Sequence, residues 1–221
     1  MKILNNLNDV SKNPKAVTIG NFDGIHKGHQ ALINKTKEIS TKNNVESLIF
    51  TFNKLPKEIF SPDTVQRLYD NKIKESILSS YKVDTLLSID FNEIKDYSAD
   101  FFCEEILIKK LNAQYLIIGE NFKFGKDRSG DIEKLRKYNS QKAFELIVPN
   151  LETHNGVKIS SSRIRNLLNQ GDIIGARECL GRDYMLSGTV VSGEKLGRKL
   201  GYPTANIRSV SYTHLRAHET G

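Results

Sequence analysis

The sequence predicts an α/β protein with a parallel five-stranded sheet covered by helices on both faces. Short apolar stretches alternate with amphipathic stretches of helical period along residues 1–181. The apolar stretches are continuous rather than alternating, which is typical of strands buried on both faces. Distinctive polar motifs follow several of these stretches, where parallel sheets bind their ligands.

The predicted elements follow one another in a regular strand–helix order. We expect strands at residues 16–19, 47–52, 84–89, 115–119 and 144–148. We expect helices at residues 26–41, 65–79, 132–138, 161–169 and 172–179, with one more after a Ser98 cap. Leu68, Ile73 and Ile77 form the predicted inward face of the second helix. The repeated crossovers predict parallel strands.

Composition excludes several classes of protein. The 221 residues carry a formal charge of +7, but the lysines are scattered, which does not favour a nucleic-acid surface. No apolar run reaches the roughly 20 residues that span a membrane, and no secretory leader is visible. Cys103 and Cys179 are far apart and suggest two inert thiols. We therefore expect a cytoplasmic protein.

The first motif is the histidine loop (residues 20–29, GNFDGIHKGH), between the first strand and the first helix. Gly20 and Gly24 permit a tight turn and a close approach of the backbone to a ligand. His26 and His29 project from one side of the first helical turn, beside N–H groups that favour anions. The loop indicates a polyphosphate site. The same pair could also bind a metal or cap the helix, but the sequence nearby offers no third ligand.

Two further motifs have two interpretations each. The aromatic loop (residues 119–125, GENFKFG) suits a flat ring with a polar edge, although composition alone favours phenylalanines that fill the core. The serine segment (residues 160–165, SSSRIR) places three hydroxyls and two guanidiniums at a helix start, which suits phosphate oxygens. A serine cap followed by surface arginines is the alternative.

Together these motifs resemble the bacterial bifunctional riboflavin kinase/FAD synthetase family of the HxGH nucleotidyltransferase superfamily. The likeness rests on GNFDGIHKGHQALI, on IGENFKFG, and on ISSSRIR, where Ser162 replaces the family's threonine. The resemblance implies a Rossmann-like nucleotidyltransferase fold. It also implies transfer of AMP from ATP to FMN, with FAD and pyrophosphate as products and Mg²⁺ held by the phosphates.

The resemblance implies roles for individual residues. His26, His29 and Arg165 would stabilise charge at the reacting phosphates. Asn121, Phe122, Phe124 and Gly125 would line the flavin and nucleotide pocket. The other phosphate-contacting residues would be Gly20, Asn21, Phe22, Asp23, Gly24, Gly28, Ser160, Ser161, Ser162 and Arg163. Asp23 has two open interpretations: it holds the loop or the metal's hydration shell, or it caps the local turn. No side chain is expected to bind the metal directly.

The sequence departs from the family in one place and continues past the first domain. In the segment that usually reads TFxPHP, Leu55 stands where the family has histidine. Residues 186–206 resemble the start of a riboflavin kinase module, with Gly193, Gly197, Thr204 and Asn206 in its ATP site and riboflavin as its substrate. We divide the chain into a FAD synthetase domain (1–181), an incomplete β-barrel fragment (182–207) and a foreign tail (208–221). Such a fragment, with unpaired strand edges, should lack kinase activity.

Two other functions stay open at this point. The chain could be a different HxGH adenylyl- or cytidylyltransferase, although the aromatic loop and the kinase-like segment favour FMN. It could also be a non-catalytic fragment that binds flavin or nucleic acid. The sequence does not define an oligomeric state.

Overall fold

A computed structural model describes residues 1–60, 67–150, 153–154, 156–191 and 206–209. It contains a parallel six-stranded sheet of order β1-β4-β3-β2-β5-β6, which confirms the predicted α/β class. The strands are β1 (Lys2–Leu4), β2 (Lys15–Ile19), β3 (Glu46–Phe52), β4 (Thr85–Ile89), β5 (Ala113–Ile117) and β6 (Glu145–Ile147).

Helices connect these strands. They are α1 (Lys27–Asn43), α2 (Pro56–Phe60), α3 (Asn71–Ser80), α4 (Ala99–Phe101), α5 (Ile132–Ser140), α6 (Ser161–Asn169) and α7 (Ile173–Leu180). A π-helix (Phe102–Lys110) continues α4. The bounds of α6 match the prediction, and those of α1, α5 and α7 lie within two residues of it.

Both faces of the sheet are buried beneath helices. Leu32 of α1 packs with Ala16 of β2 on one face, and Leu78 of α3 lies in a neighbouring cluster that also includes α1. Val17 of β2 packs with Phe102 on the other face, because successive side chains of a strand alternate. The strands are therefore continuously apolar because both of their faces are buried, as the sequence predicted.

The sheet has one strand more than the five predicted. The additional strand, β1, pairs with β4 at the edge of the sheet, from Lys2 opposite Thr85 to Leu4 opposite Leu87. It is three residues long and only Leu4 is buried, so it shows neither an apolar run nor a period. Such a strand is recognised through its partner rather than through its own sequence.

The predicted start of the second helix is wrong. Helix α3 begins at Asn71, because the Asp70 side chain accepts a hydrogen bond from the backbone N–H of Ile73 at 2.8 Å. Leu68 is fully buried but precedes the helix. Residues 61–66 lie outside the described part of the chain. The Ser98 cap is confirmed, since its side chain accepts from the Phe101 N–H at 3.1 Å.

The strand order places a switch point between β2 and β5. From β2 the chain moves outward to β3 and β4 on one side, whereas β5 leads to β6 on the other. The loops after β2 and β5 therefore diverge and leave a crevice at the carboxyl edge of the sheet. These are the histidine loop and the aromatic loop. The fold brings the two predicted motifs to one edge.

The carboxyl-terminal elements are smaller. Helices α6 and α7 form a second apolar cluster that includes Leu68 and Tyr69. Strands β7 (Thr153–His154) and β8 (Val157–Lys158) pair with each other, as do β9 (Gly188–Val191) and β10 (Asn206–Ser209). Of the kinase-like residues, Gly193, Gly197 and Thr204 lie outside the described part, and Asn206 is described only as the first residue of β10.

Candidate active site

The histidine loop has an unusual backbone. Phe22 and Ile25 have positive φ angles of 48° and 42°, and Gly24 has a φ of 79°. The left-handed region is disfavoured for residues with a Cβ, above all for β-branched Ile25. Gly24 has a further reason to be glycine, because an added Cβ would lie 2.5 Å from the Leu68 side chain. A loop of this kind keeps its shape only when surrounding contacts hold it.

The two histidines lie face to face at the start of α1. His26 is the N-cap residue, and its Nδ1 lies 3.4 Å from the backbone N of His29. The two rings are stacked with their centroids 3.7 Å apart, and Gly28 between them is buried. Phe22 meets the His29 ring edge-on at 5.2 Å. The predicted pairing of the imidazoles beside the helix start is confirmed as geometry.

Both imidazoles are neutral at neutral pH. Burial, assisted by the charge of Arg182, lowers the pKa of His26 to about 4. Burial lowers the pKa of His29 well below its usual value, and the charges of His26, Lys74 and Arg182 act in the same direction. Each neutral ring offers one N–H donor, and an anion placed beside it would favour the charged form. Among the described residues, no group hydrogen-bonds to the buried Nδ1 of His29.

Asp23 connects the histidine loop to two other segments. Its Oδ1 accepts a hydrogen bond from the Leu68 N–H at 3.0 Å, and its Oδ2 pairs with Arg165 of α6. Its backbone carbonyl accepts a hydrogen bond from the Ser161 hydroxyl at 2.8 Å. Burial raises the pKa of Asp23, and the charge of Arg165 opposes that shift. These contacts favour the interpretation in which Asp23 holds the loop.

The serine segment lies against the histidine loop, but its members differ. Ser160 caps α6 by accepting a hydrogen bond from the Arg163 N–H at 3.2 Å, and Ser161 contacts the loop. Ser162 is exposed. Arg163 donates to the carbonyl of Val157 at 2.9 Å. The segment thus contributes one hydroxyl and the Arg165 ion pair to the loop itself.

Lys74 is a site residue that the sequence analysis missed. Its Nζ donates to the carbonyl of Asn21 at 2.7 Å, to the hydroxyl of Thr51 at 2.7 Å and to the carbonyl of Phe52 at 3.1 Å. The side chain is almost fully buried, and burial lowers its pKa to about 7, with the charge of Asp23 opposing. A spacing of four residues from buried Leu78 on α3 could have revealed its inward position.

Arg182 was also missed. It follows α7 and donates to the carbonyl of Ile25 at 2.9 Å and to that of Gly24. Its guanidinium lies 5.3 Å from the centre of the Tyr69 ring. Nothing in the local pattern around Gly181 distinguishes this arginine from a surface residue.

The aromatic loop on the opposite side of the crevice is built differently. Phe124 is buried in the main core and packs on Phe102, as in the core-filling interpretation. Phe122 stacks on Phe124 with centroids 5.5 Å apart and stays partly exposed, and Asn121 is exposed. Gly125 has a φ of 72° and approaches α4 so closely that a Cβ would lie 2.8 Å from the backbone of Ala99. Phe122 and Asn121 are therefore the members that can face a ligand.

The described residues offer no protein cage for a metal ion. Within them, no three His, Cys, Asp or Glu side chains gather in a way that could hold one. Both carboxylate oxygens of Asp23 are already engaged by Leu68 and Arg165. Leu55, at the position of the family's histidine, is buried. A magnesium ion that enters with a nucleotide would fit this site through the phosphate oxygens.

Comparisons with known proteins identify the family. An α/β sheet with an HxGH loop at its switch point defines a protein of the nucleotidyltransferase class. The FAD synthetase family model matches residues 8–163, and the riboflavin kinase model matches residues 180–221. The chain therefore belongs to the FAD synthetase family.

Individual relatives agree with this assignment. A bifunctional riboflavin kinase/FMN adenylyltransferase of Buchnera aphidicola subsp. Schizaphis graminum is 42% identical over 207 residues, which are 92% of this chain and 66% of the relative. That of Escherichia coli K12 is 34% identical over 94% of this chain and 68% of its own length. The chain thus spans about two thirds of the length of these curated relatives.

A solved structure shares the fold. A crystal structure from Streptococcus pneumoniae, named a macrolide-efflux protein, is 31% identical with a TM-score of 0.81. The match covers 94% of this chain and 68% of the chain in that crystal structure.

Across the residues that the structure describes here, every helix is too short or too polar to span a bilayer.

Proposed function

We propose that this chain is an FMN adenylyltransferase, which transfers the adenylyl group of ATP to FMN. A phosphate oxygen of FMN attacks the α-phosphorus and forms a new P–O bond. The bond from the α-phosphorus to the oxygen bridging it to the β-phosphorus breaks, and pyrophosphate leaves with the electron pair. The attacking group is already an anion, so the reaction needs positioning and charge stabilisation rather than a strong base.

One observation carries this proposal: the stacked His26–His29 pair at the start of α1, in the sheet crevice of a chain from the FAD synthetase family. The imidazole N–H groups and the free backbone amides of α1 would hydrogen-bond to the triphosphate. Their charge stabilisation would grow as negative charge develops on the leaving pyrophosphate. Mg²⁺ would enter bound to the ATP phosphates and neutralise part of their charge.

We assign the remaining site residues by position. Asp23 and Ser161 hold the loop, and Arg165 provides a cation at its edge through its pair with Asp23. Asn121 and the exposed part of Phe122 would meet the flavin across the crevice. Gly20 and Gly28 would allow the backbone to approach the ligands, whereas Gly24 and Gly125 make room for Leu68 and Ala99.

The charge pattern and the two cysteines bear on the partners and location of the protein. We propose small anionic substrates rather than nucleic acid, because the lysines are scattered along the sequence. We propose a cytoplasmic location, in keeping with Cys103 and Cys179, which are both buried and not disulfide-bonded. Riboflavin phosphorylation belongs to the family's second module, whose model matches residues 180–221.

One incubation tests the assignment. The 221-residue chain is mixed with ATP, Mg²⁺ and either FMN, riboflavin or nicotinamide mononucleotide, and the products are separated by chromatography. We expect FAD and an equal amount of pyrophosphate from FMN, while FMN formed from riboflavin would report separately on the second module. A dinucleotide from nicotinamide mononucleotide but not from FMN would favour a different adenylyltransferase. Flavin binding without any pyrophosphate release would favour a non-catalytic protein.

A further inference from the structure

Arg182 reaches the histidine loop from the segment that leads into the second module. It follows Gly181, the left-handed cap of α7, and its Nη1 also donates to the carbonyl of Leu180 at 3.2 Å. The guanidinium spans the adjacent carbonyls of Gly24 and Ile25, more than 150 residues earlier in the chain. The contact therefore joins the end of one domain to the loop that carries the histidines.

These two carbonyls belong to the strained part of the loop. Gly24 and Ile25 both have positive φ angles, and Ile25 is β-branched. A β-branched residue is strongly disfavoured in this region and persists only where its surroundings impose it. A guanidinium is a planar fork that can donate to two acceptors at once. Arg182 supplies that constraint directly before His26.

Neighbouring contacts fix Arg182 in turn. Its guanidinium lies over the Tyr69 ring, and Tyr184 stacks on the same ring with centroids 5.6 Å apart. The Tyr184 hydroxyl donates to the carbonyl of Leu68 at 3.1 Å, and the Ser187 hydroxyl donates to Asp70. The segment from Arg182 to Ser187 is thus packed on the first domain rather than suspended between two modules.

We propose that Arg182 is a positioning residue for adenylyl transfer. It holds Gly24 and Ile25 in the backbone conformation that sets the stacked pair of His26 and His29. This inference rests on the proposed function. It adds a residue outside all three sequence motifs, and it makes the linker to the second module a part of the first active site.

Three variants of the 221-residue chain test the proposal. Arg182→Met keeps an aliphatic stem over Tyr69 but removes both donors, and Arg182→Lys keeps a charge that can reach only one carbonyl well. Arg177→Met is the matched control, because Arg177 is an exposed arginine of α7 that pairs with Asp183. FAD formation at saturating ATP and FMN, the KM for FMN and the thermal midpoint are measured for each.

We expect Arg182→Met to lower kcat about 10- to 100-fold, since small displacements of reacting groups have effects of this size. Its KM for FMN should stay within about threefold, because Arg182 does not border the aromatic loop. Arg182→Lys should recover part of the lost kcat, and Arg177→Met should match the parent chain.

The outcomes separate this inference from the function it rests on. If the parent chain makes no FAD, the proposed function fails before any variant is compared. If the parent is active and both Arg182 variants keep its kcat, the positioning role is overturned. A loss of activity that only follows the fraction of unfolded protein would overturn it too, because Arg182 would then serve stability alone.

Discussion

The two loops that border the crevice are held in opposite ways. Charged side chains fix the histidine loop: Lys74 binds the Asn21 carbonyl, Arg165 pairs with Asp23, and Arg182 binds the carbonyls of Gly24 and Ile25. The aromatic loop instead stands on Phe124, which packs into the apolar core, and it displays the exposed Asn121.

This difference suggests a division of labour. A loop fixed by many distant hydrogen bonds is preorganised for charge stabilisation, which requires donors that do not reorganise during the reaction. A ring on an apolar base suits recognition of another flat ring, and tolerates small shifts. Substitutions near the histidine loop should therefore lower kcat, whereas those in the aromatic loop should act on the KM for FMN.

The largest expected effect comes from removing one of the paired imidazoles. His29→Ala should lower the rate of FAD formation by about 10²–10³-fold, as the loss of a charge-stabilising donor does in other enzymes. The effect is measured by chromatography as the initial rate of FAD formation at saturating ATP and FMN. Asn34→Ala, an exposed position on the same helix, is the control and should leave the rate unchanged. A folded His29→Ala protein with near-normal turnover would remove the basis of the proposed mechanism.

A smaller loss of kcat is expected when Lys74, a buried hydrogen-bond donor to the histidine loop, is replaced. Lys74→Met removes the ammonium that donates to the carbonyls of Asn21 and Phe52, so we expect kcat to fall about 10-fold. The exposed lysine two positions earlier, Lys72, offers the control Lys72→Met. Equal kcat values in the two variants would show that the loop keeps its shape without Lys74.

Lys74 also predicts how stability depends on pH. Its folded-state pKa of about 7 lies below its usual value of 10.5, so the folded protein binds fewer protons between these values. The contribution of Lys74 to the free energy of unfolding is least favourable below pH 7. It becomes more favourable as pH rises from there, by on the order of 1 kcal/mol per pH unit. Urea unfolding at pH 6.5 and pH 8.5 should show this gain in the parent chain relative to Lys74→Met. Parallel changes in both proteins would mean that the ammonium is not penalised by burial.

The aromatic loop should give a different kinetic signature. Phe122→Ala removes the partly exposed ring and should raise the KM for FMN about 3- to 10-fold, with kcat changed less than twofold. Phe124→Ala should instead destabilise the fold by about 3–5 kcal/mol, because that ring is buried in the core. Initial rates over a range of FMN concentrations and urea unfolding distinguish the two. If Phe122→Ala lowered kcat alone, the contrast between the loops would be wrong.

The sequence could predict whatever depends on local pattern. Alternation of apolar and amphipathic stretches predicted the layers of the fold, and the HxGH spacing predicted the paired rings. Strand β1 was missed because one buried residue, Leu4, makes no pattern. The two cations that hold the histidine loop were missed for another reason: Lys74 lies 53 residues from Asn21 in the sequence, and Arg182 lies 157 residues from Ile25. Which cation faces which carbonyl is decided by tertiary packing, and a single sequence does not record it.

The smallest expected effect concerns the position where the chain departs from the family's serine–threonine pattern. Ser162 is exposed, so Ser162→Thr keeps the hydroxyl and adds a methyl group at the surface. We expect FAD formation within about twofold of the parent, since surface substitutions rarely change stability by more than about 0.5 kcal/mol. Ser161→Ala is the comparison, because it removes the hydrogen bond to the Asp23 carbonyl and should cost more. If Ser162→Thr lowered FAD formation more than Ser161→Ala did, contact with the histidine loop would not determine how much each serine contributes to activity. The exposed hydroxyl of Ser162 would then be the one that meets phosphate.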